Sequence, residues 1–174
     1  MDPNSGTAAM LEVGRSLSHF LGKGWRPRRT IKLCSWDAEE WGLIGSLEWI
    51  EEYRALLKSR GVVYINTDVA EGGKCNGVVA AGSPILQSMV SRVLSGVNGE
   101  QYEGYTLSGA GSDEYGFYCY AGVSVVDVGC DSKDDLYHTK YDNQRLFEII
   151  DKDYKNLANV SSALAQVCHF GNLL

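Results

Sequence analysis

Four acidic residues and one histidine stand beyond the ends of predicted strands or before the first predicted helix. These residues are Asp2, Glu39, Glu40, Asp68 and His138. Carboxylates and imidazoles are ligands of borderline divalent metal ions, and such a set can hold two ions. Because neighbouring side chains in an irregular loop can point in different directions, one of the adjacent glutamates can bind a metal while the other stays free as a base. The residue types therefore predict a carboxylate-rich, two-metal site.

Each of these residues also has an interpretation without chemistry. An adjacent pair of glutamates is usually a solvated turn, because acidic side chains are mostly exposed. Asp68 after a strand can be a helix cap or a turn residue, and His138 in a polar loop can be a surface histidine. His19 and His169 do not follow strands, and we assign them to structure or solvent. The coincidence of several acids at several strand ends favours the site.

Alternating strands and helices must position these residues. The residue patterns predict strands over 29–35, 62–66, 77–81 and 123–128. They predict helices over 6–22, 43–58, 84–95, 113–121 and 144–169, with loops over 96–112 and 131–143. This alternation predicts an α/β fold with a mixed, mostly parallel sheet and helices on both faces. In such sheets the functional loops lie beyond the carboxyl ends of the strands.

Composition narrows the class of protein. The chain has 174 residues, 16 Lys and Arg against 22 Asp and Glu, and a formal net charge of −6. The length predicts one domain, and the acidic balance argues against a nucleic-acid partner. No apolar run approaches the ~20 residues of a membrane span. Five cysteines without a C-x-x-C pair argue against a thiolate zinc finger. The H-E-x-x-H, Walker A and G-x-S-x-G motifs are absent.

The sequence around the adjacent glutamates closely resembles the catalytic core of the glutamate carboxypeptidases. These enzymes belong to a larger family of co-catalytic di-zinc exopeptidases that includes aminopeptidases. Residues 25–31 and 35–46, the latter reading Ser-Trp-Asp-Ala-Glu-Glu-Trp-Gly-Leu-Ile-Gly-Ser, carry the most specific match. Four further segments match in the family order, namely 2–8, 64–68, 109–113 and 137–142. The resemblance extends from residue 2 to about residue 165.

The resemblance implies a role for each residue of the site. It makes Asp2 the carboxylate that bridges two zinc ions and Glu39 the general base. It makes Glu40 and His138 ligands of one zinc ion and Asp68 a ligand of one zinc ion. The residues implied to line the substrate cleft are Tyr137, Gly111, Ser112 and Asp113. The implied activity is hydrolysis of a peptide by a metal-activated water, as a carboxypeptidase or an aminopeptidase.

The chain also departs from the family pattern. The family has a histidine ligand about ten residues before the bridging aspartate, whereas this sequence starts one residue before Asp2. We therefore expect residues 1–174 to be a single, partial zinc-peptidase catalytic domain, truncated at the N-terminus, with one zinc ligand missing and an incomplete sheet. The arginines that hold the glutamate carboxylate in the family fall near Asp127 and Gly129, so we expect no specificity for C-terminal glutamate.

The resemblance also implies properties of the parent protein. Its protease-associated and dimerisation domains are absent from these residues, so a homodimer is an expectation for the parent alone. The resemblance suggests a membrane-anchored, lumenal or extracellular parent. Two alternatives stay open: an inactive, transferrin-receptor-like binding module or gene fragment, and an amidohydrolase of non-peptide amides that uses the same mechanism. Retention of all five site residues counts against the binding module.

Overall fold

The computed structural model describes residues 1–109, 111–133 and 136–171. Its helices are α1 (Asn4–Gly22), α2 (Ile44–Arg60), α3 (Gln87–Asn98), α4 (Glu114–Cys119), α5 (Gln144–Ile150) and α6 (Lys155–Gly171). Its strands are β1 (Val63–Asn66), β2 (Lys74–Gly82) and β3 (Ser124–Lys133). A 3₁₀ turn, Pro84–Leu86, leads into α3. No helix in the described part of the chain is both long and apolar enough to cross a membrane.

The three strands form one mixed sheet in the order β1-β3-β2. β1 runs parallel to β3, with Asn66 opposite Asp127, and β2 runs antiparallel to β3. The predicted α/β class with a mixed sheet is confirmed, although the described strands make one parallel and one antiparallel pair. A disulfide bond joins Cys75 on β2 to Cys130 on β3. The parallel pair brings the carboxyl ends of β1 and β3 to the same edge of the sheet.

Helices cover both faces of the sheet, as predicted. Val126 and Val128 of β3 pack into the larger core, where α1, α3 and α6 contribute buried side chains. The alternate residue Val125 points to the other face, where it packs with Ile50 of α2 and Phe117 of α4. Each such fully buried aliphatic or aromatic side chain stabilises the fold by roughly 1.5–3 kcal/mol. The period-two alternation along β3 therefore fixes which helices lie on which side.

Segment 29–35 was predicted as a strand, and the structure shows no strand there. Its Ile31 and Leu33 alternate as in a strand, but the backbone hydrogen bonds of β1 in the described chain go to β3. A segment without a ladder partner does not become a strand, whatever its side-chain pattern. Trp36 anchors the end of the segment, where its indole N–H donates to the hydroxyl of Tyr64 at 3.1 Å.

Two other predicted boundaries differ from the structure. Residues 131–133, predicted as loop, continue β3 because they pair with the start of β2. The long helix predicted over 144–169 is divided into α5 and α6. At the break, the Asp151 carboxylate accepts the backbone N–H groups of Asn156 and Leu157 at 3.0 and 3.1 Å. These bonds satisfy free donors at the start of α6 and so stabilise a new helix start.

Glu71, which follows β1, is a carboxylate in the core. Its side chain is fully buried, and Oε1 accepts a hydrogen bond from Asn156 Nδ2 at 3.1 Å. Oε2 is buried without a hydrogen-bond partner. Burial raises the pKa of Glu71 to about 7, the hydrogen bond from Asn156 opposes that rise, and the nearby Asp151 carboxylate adds to it. The charged form of Glu71 is therefore unfavourable in the folded protein.

We predict that Glu71→Gln flattens the dependence of stability on pH. The folded pKa lies near 7 and the ordinary value near 4.5, so the folded state binds the proton more tightly. The wild-type chain should lose up to about 3 kcal/mol of unfolding free energy as pH rises from about 4.5 to above 7. Urea unfolding at pH 5 and pH 8 should show the variant gaining on the wild type only at pH 8. The exposed substitution Glu100→Gln is the control, and an equal slope in all three proteins would contradict the prediction.

Candidate metal centre and cleft

The first turn of α1 packs directly against the backbone that follows β1. The Gly6 N–H donates to the carbonyl oxygen of Asp68 at 3.0 Å. A Cβ at position 6 would collide with the carbonyl oxygens of Thr67 and Asp68, so only glycine permits this approach. As a result Asp2, which precedes α1, lies beside Asp68. The Asp2 N–H also donates to Oδ2 of Asp142 at 3.2 Å, a positioning contact that the sequence did not predict.

Asp2, Glu40 and His138 form a compact cluster of possible metal donors. The Nε2 atom of His138 lies 3.0 Å from Oδ2 of Asp2 and 2.8 Å from Oε1 of Glu40. One donor atom from each of the three residues lies within 4.8 Å of the other two. His138 has a left-handed backbone with φ 59°, and its ring stacks on that of Tyr137 at 3.8 Å between centroids. One proton on Nε2 cannot satisfy both carboxylates, whereas a divalent cation can be shared by all three.

Asp68 and Glu39 complete the acidic group. Asp68 accepts a hydrogen bond from Ser112 Oγ at 3.0 Å, and burial and then the Asp2 carboxylate raise its pKa. Burial raises the pKa of Glu39 to about 7, with further contributions from the neighbouring carboxylates, Asp68 first. Among the described residues, the Glu39 side chain has no hydrogen-bond partner. Asp68 therefore adjoins the three-donor cluster through Asp2, and Glu39 remains free beside it.

The two adjacent glutamates lie in a strained turn, and their side chains have different surroundings. The N–H groups of Gly42 and Leu43 both donate to the carbonyl oxygen of Glu39. Ala38 and Leu43 have φ of 56° and 60°, in the left-handed region that non-glycine residues rarely occupy. Gly45 at the start of α2 approaches the backbone of Asp37 too closely for a Cβ. The turn is thus fixed at both ends, and it presents Glu40 to His138 while leaving Glu39 unpaired.

The charge of this region fits a cation of charge 2+ or more. Five carboxylates lie close together around one imidazole, those of Asp2, Glu39, Glu40, Asp68 and Asp113. Within the described part of the chain, no lysine or arginine forms an ion pair with any of them. The pKa values of Glu39, Asp68 and Asp113 are all raised, with burial as the largest cause. Oxygen and imidazole nitrogen donors suit a borderline metal ion such as Zn²⁺.

A cleft of about 500 Å³ opens over the donor cluster. It is lined by Glu39, Glu40, Gly42, Leu43, Leu47, Gly111, Tyr115, Tyr137 and His138. Leu43 and Leu47, around the start of α2, contribute apolar side chains to the cleft wall. Tyr115 was not singled out, because nothing in its local sequence indicates which way it points. The lining of the cleft thus combines polar, chemically active side chains with apolar ones.

The predicted substrate-lining residues do not all lie in this cleft. Tyr137 and Gly111 line it, and Gly111 and Ser112 line a second cavity of about 330 Å³. Asp113 lines neither cavity. It is buried at the start of α4, where burial raises its pKa and a hydrogen bond with Ser46 opposes the rise. The neighbouring Glu114, which the sequence did not single out, lines the second cavity instead.

Comparison with known proteins places the chain in context. The model of peptidase family M28 matches residues 1–165. The probable glutamate carboxypeptidase LAMP1 of Arabidopsis thaliana is 41% identical over 159 residues, which is 82% of this chain and 23% of that protein. The rat aminopeptidase NAALADL1 is 33% identical over 184 residues, covering 87% of this chain and 24% of that protein. The chain therefore spans about a quarter of the length of these curated relatives.

Solved structures share the fold. A zinc aminopeptidase from Bacillus subtilis aligns with a TM-score of 0.75 at 22% identity, over 97% of this chain and 41% of that chain. An aminopeptidase from Aneurinibacillus sp. strain AM-1 aligns with a TM-score of 0.69 at 21% identity, over 95% of this chain and 39% of that chain. At these identities the alignments show that the arrangement of helices and strands is shared.

We predict that Gly6→Ala disrupts the metal centre. The added methyl group would push the start of α1 away from β1 and so separate Asp2 from Asp68 and His138. Thermal unfolding should shift to lower temperature by several degrees, and the zinc retained after dialysis should fall. Gly22→Ala, at the open end of the same helix, is the matched control because a Cβ there meets nothing within 4 Å. Equal zinc content and equal Tm in both variants would show that the close approach is unimportant.

Proposed function

The chain belongs to peptidase family M28, and on that premise we propose that it carries the catalytic centre of a zinc-dependent exopeptidase. The observation that supports this most is the position of His138 Nε2 between the Asp2 and Glu40 carboxylates, with Glu39 unpaired beside them. The proposal treats residues 1–174 as part of one catalytic domain. An inactive binding module finds no support in the relatives described above, which are named as peptidases.

We propose two zinc ions, held by the carboxylates and the imidazole. Asp2, Glu40 and His138 would hold one ion, and Asp68 would hold the other with Asp2 shared between them. When bound, a pair of zinc ions lowers the pKa of water and polarises the scissile carbonyl group. The observed pairing of one imidazole nitrogen with two carboxylates supports the first assignment. The effect of the Asp2 carboxylate on the pKa of Asp68 supports the second, because it places the two acids close together.

Glu39 is proposed as the proton carrier. A general base works best when its pKa lies near the working pH, and the burial of Glu39 beside other acids raises its pKa to about 7. Its carboxylate takes a proton from the attacking water and returns it to the leaving amine. The absence of a hydrogen-bond partner among the described residues leaves both of its oxygens free for that transfer. Glu40 is unsuited to this role because it already pairs with His138.

The substrate proposed for the cleft is the end of a peptide. Leu43, Leu47 and Tyr115 of the lining can bury a side chain, and Tyr137 stacks on the ring of His138. The relatives include both carboxypeptidase and aminopeptidase names, so the proposal covers removal of a residue from either end. The homodimer and the membrane-anchored, lumenal or extracellular location suggested by the sequence stay proposals for the whole protein.

We predict that Glu39→Gln abolishes hydrolysis without loss of zinc. Glutamine keeps the shape of the side chain but cannot accept the proton, and general-base catalysis contributes about 10²–10⁴-fold in rate. The test is a comparison of kcat on a panel of dipeptides, with zinc measured by elemental mass spectrometry, in the full-length protein that contains this chain. The exposed Glu103→Gln variant is the control. Unchanged peptide hydrolysis by Glu39→Gln would refute the proposed mechanism. If the wild-type protein cleaves non-peptide amides faster than it cleaves dipeptides, the amidohydrolase alternative is favoured.

We also predict that His138→Ala lowers the zinc content by about one ion per chain. The substitution removes the only nitrogen donor of the three-residue cluster, so the remaining carboxylates should bind that ion more weakly. Zinc is counted after dialysis at fixed pH, together with the melting temperature with and without added zinc. His19→Ala, on the exposed surface of α1, is the matched control. If both variants retain the zinc of the wild type, His138 is not a ligand.

A further inference from the structure

The second cavity has a chemistry of its own. It has a volume of about 330 Å³ and lies beside the metal centre, because Asp68 is part of its wall and Gly111 lines both spaces. We call it the acidic cavity and define it by Asn66, Asp68, Ser108, Gly111, Glu114 and Asp127. Its carboxylates come from three different parts of the chain: Asp68 follows β1, Glu114 starts α4, and Asp127 lies within β3.

Glu114 gives the strongest indication that the acidic cavity binds a ligand. Its side chain is only 4% exposed, and Oε1 accepts a hydrogen bond from Ser108 Oγ at 3.1 Å. Its other oxygen, Oε2, is buried and has no hydrogen-bond partner. A buried carboxylate oxygen without a donor is unfavourable. A ligand that brings an N–H donor into the acidic cavity would satisfy it.

Asp127 adds a second carboxylate to the same wall. Its Oδ1 accepts a hydrogen bond from Asn66 Nδ2 at 3.0 Å, across the parallel pairing of β1 and β3. Burial raises the pKa of Asp127 to about 6, and the pKa of Glu114 is raised to about 7 by burial first and by Asp127 second. In the described chain no lysine or arginine forms an ion pair with either carboxylate.

A metal ion is a poorer match than an organic cation. Neither Glu114 nor Asp127 belongs to a group of three close metal donors among the described residues. The volume of the acidic cavity is also large for a single ion, whereas it accommodates a chain ending in an ammonium or guanidinium group. Such groups carry several N–H donors and a positive charge, and their hydrogen bonds to carboxylates are strong.

We propose that the acidic cavity is a substrate subsite that binds a cationic nitrogen group, an ammonium or a guanidinium, through Glu114 and Asp127. The proposal rests on the exopeptidase function proposed above, because it makes the cation part of the peptide being cleaved. The charge comes either from the free α-amine of the peptide or from a lysine or arginine side chain. Substrates with a carboxylate at this position are disfavoured, because the carboxyl groups of Glu114 and Asp127 line the cavity.

The test is calorimetric titration of the zinc-loaded, full-length protein with four small amides. These are lysinamide, norleucinamide, Nα-acetyl-lysinamide and Nα-acetyl-norleucinamide, which carry two, one, one and no positive charges. We expect the charged amides to bind at least about 10-fold more tightly than the neutral one. Tight binding of norleucinamide identifies the α-amine as the cation, and tight binding of Nα-acetyl-lysinamide identifies the side chain. Equal binding of all four amides would overturn the proposal.

Variants connect the binding to the acidic cavity. Glu114→Gln and Asp127→Asn should each reduce the advantage of the charged amides about 10-fold, whereas the exposed Glu100→Gln should leave it unchanged. Circular dichroism and Tm identify any variant that fails to fold. If one of the two variants does not fold, the amide binding of the other variant tests the proposal. A preference that survives both folded variants, or competition between added zinc and lysinamide for Glu114, would refute the proposal.

The same experiment separates this proposal from the proposed function. Glu39→Gln should abolish hydrolysis but keep the preference for charged amides, because Glu39 is not part of the acidic cavity. If the wild-type protein binds charged amides selectively and hydrolyses no peptide, the exopeptidase proposal fails and the cation-binding cavity stands. If the wild-type protein hydrolyses peptides, and neither its activity nor its binding of charged amides changes in the Glu114 and Asp127 variants, the exopeptidase proposal stands and the cation-binding proposal fails.

Discussion

The contact between the first turn of α1 and the backbone that follows β1 determines where Asp2 lies relative to Asp68 and His138. The Gly6 N–H reaches the Asp68 carbonyl oxygen at 3.0 Å, and the absence of a Cβ is what permits the distance. That contact carries Asp2 to Asp68 and, with the bond from the Asp2 N–H to Asp142, toward the loop that bears His138. The centre is therefore assembled from segments that lie far apart in the sequence.

Several carboxyl groups of this protein are buried close to one another. Glu39, Asp68, Asp113, Glu114 and Asp127 all have raised pKa values, and loss of hydration is the largest cause in each case. Folding alone does not favour such an arrangement, since each carboxylate raises the pKa of its neighbours. The proposed zinc ions and the proposed organic cation would offset this repulsion, and they would divide the acids between them. A metal ion suits the compact donors around His138, and an organic cation suits the wider cavity around Glu114.

The parallel pairing of β1 with β3 positions residues of both the metal centre and the acidic cavity. Because β1 and β3 run parallel, Asn66 and Asp127 lie opposite each other, and the residues that follow β1 reach the same edge. The turn before α2 supplies Glu39 and Glu40 to the lining of the cleft. Segment 29–35 leads into that turn without forming a strand, and Trp36 holds its end by packing against Trp49 and Phe117. The position of the turn thus depends on aromatic packing as well as on its own backbone hydrogen bonds.

The sequence by itself determined the class of fold, the approximate helices and three of the four predicted strands, and it singled out Asp2, Glu39, Glu40, Asp68 and His138 as a group. These depend on local periodicity and on residue types, which are visible along the chain. Only the tertiary structure decided that 29–35 lacks a ladder partner, that Asp151 starts a new helix, and that Glu114 rather than Asp113 lines a cavity. The physical reason is that hydrogen-bond partners and desolvation are set by residues distant in sequence, and two adjacent acids look alike until the fold buries them differently.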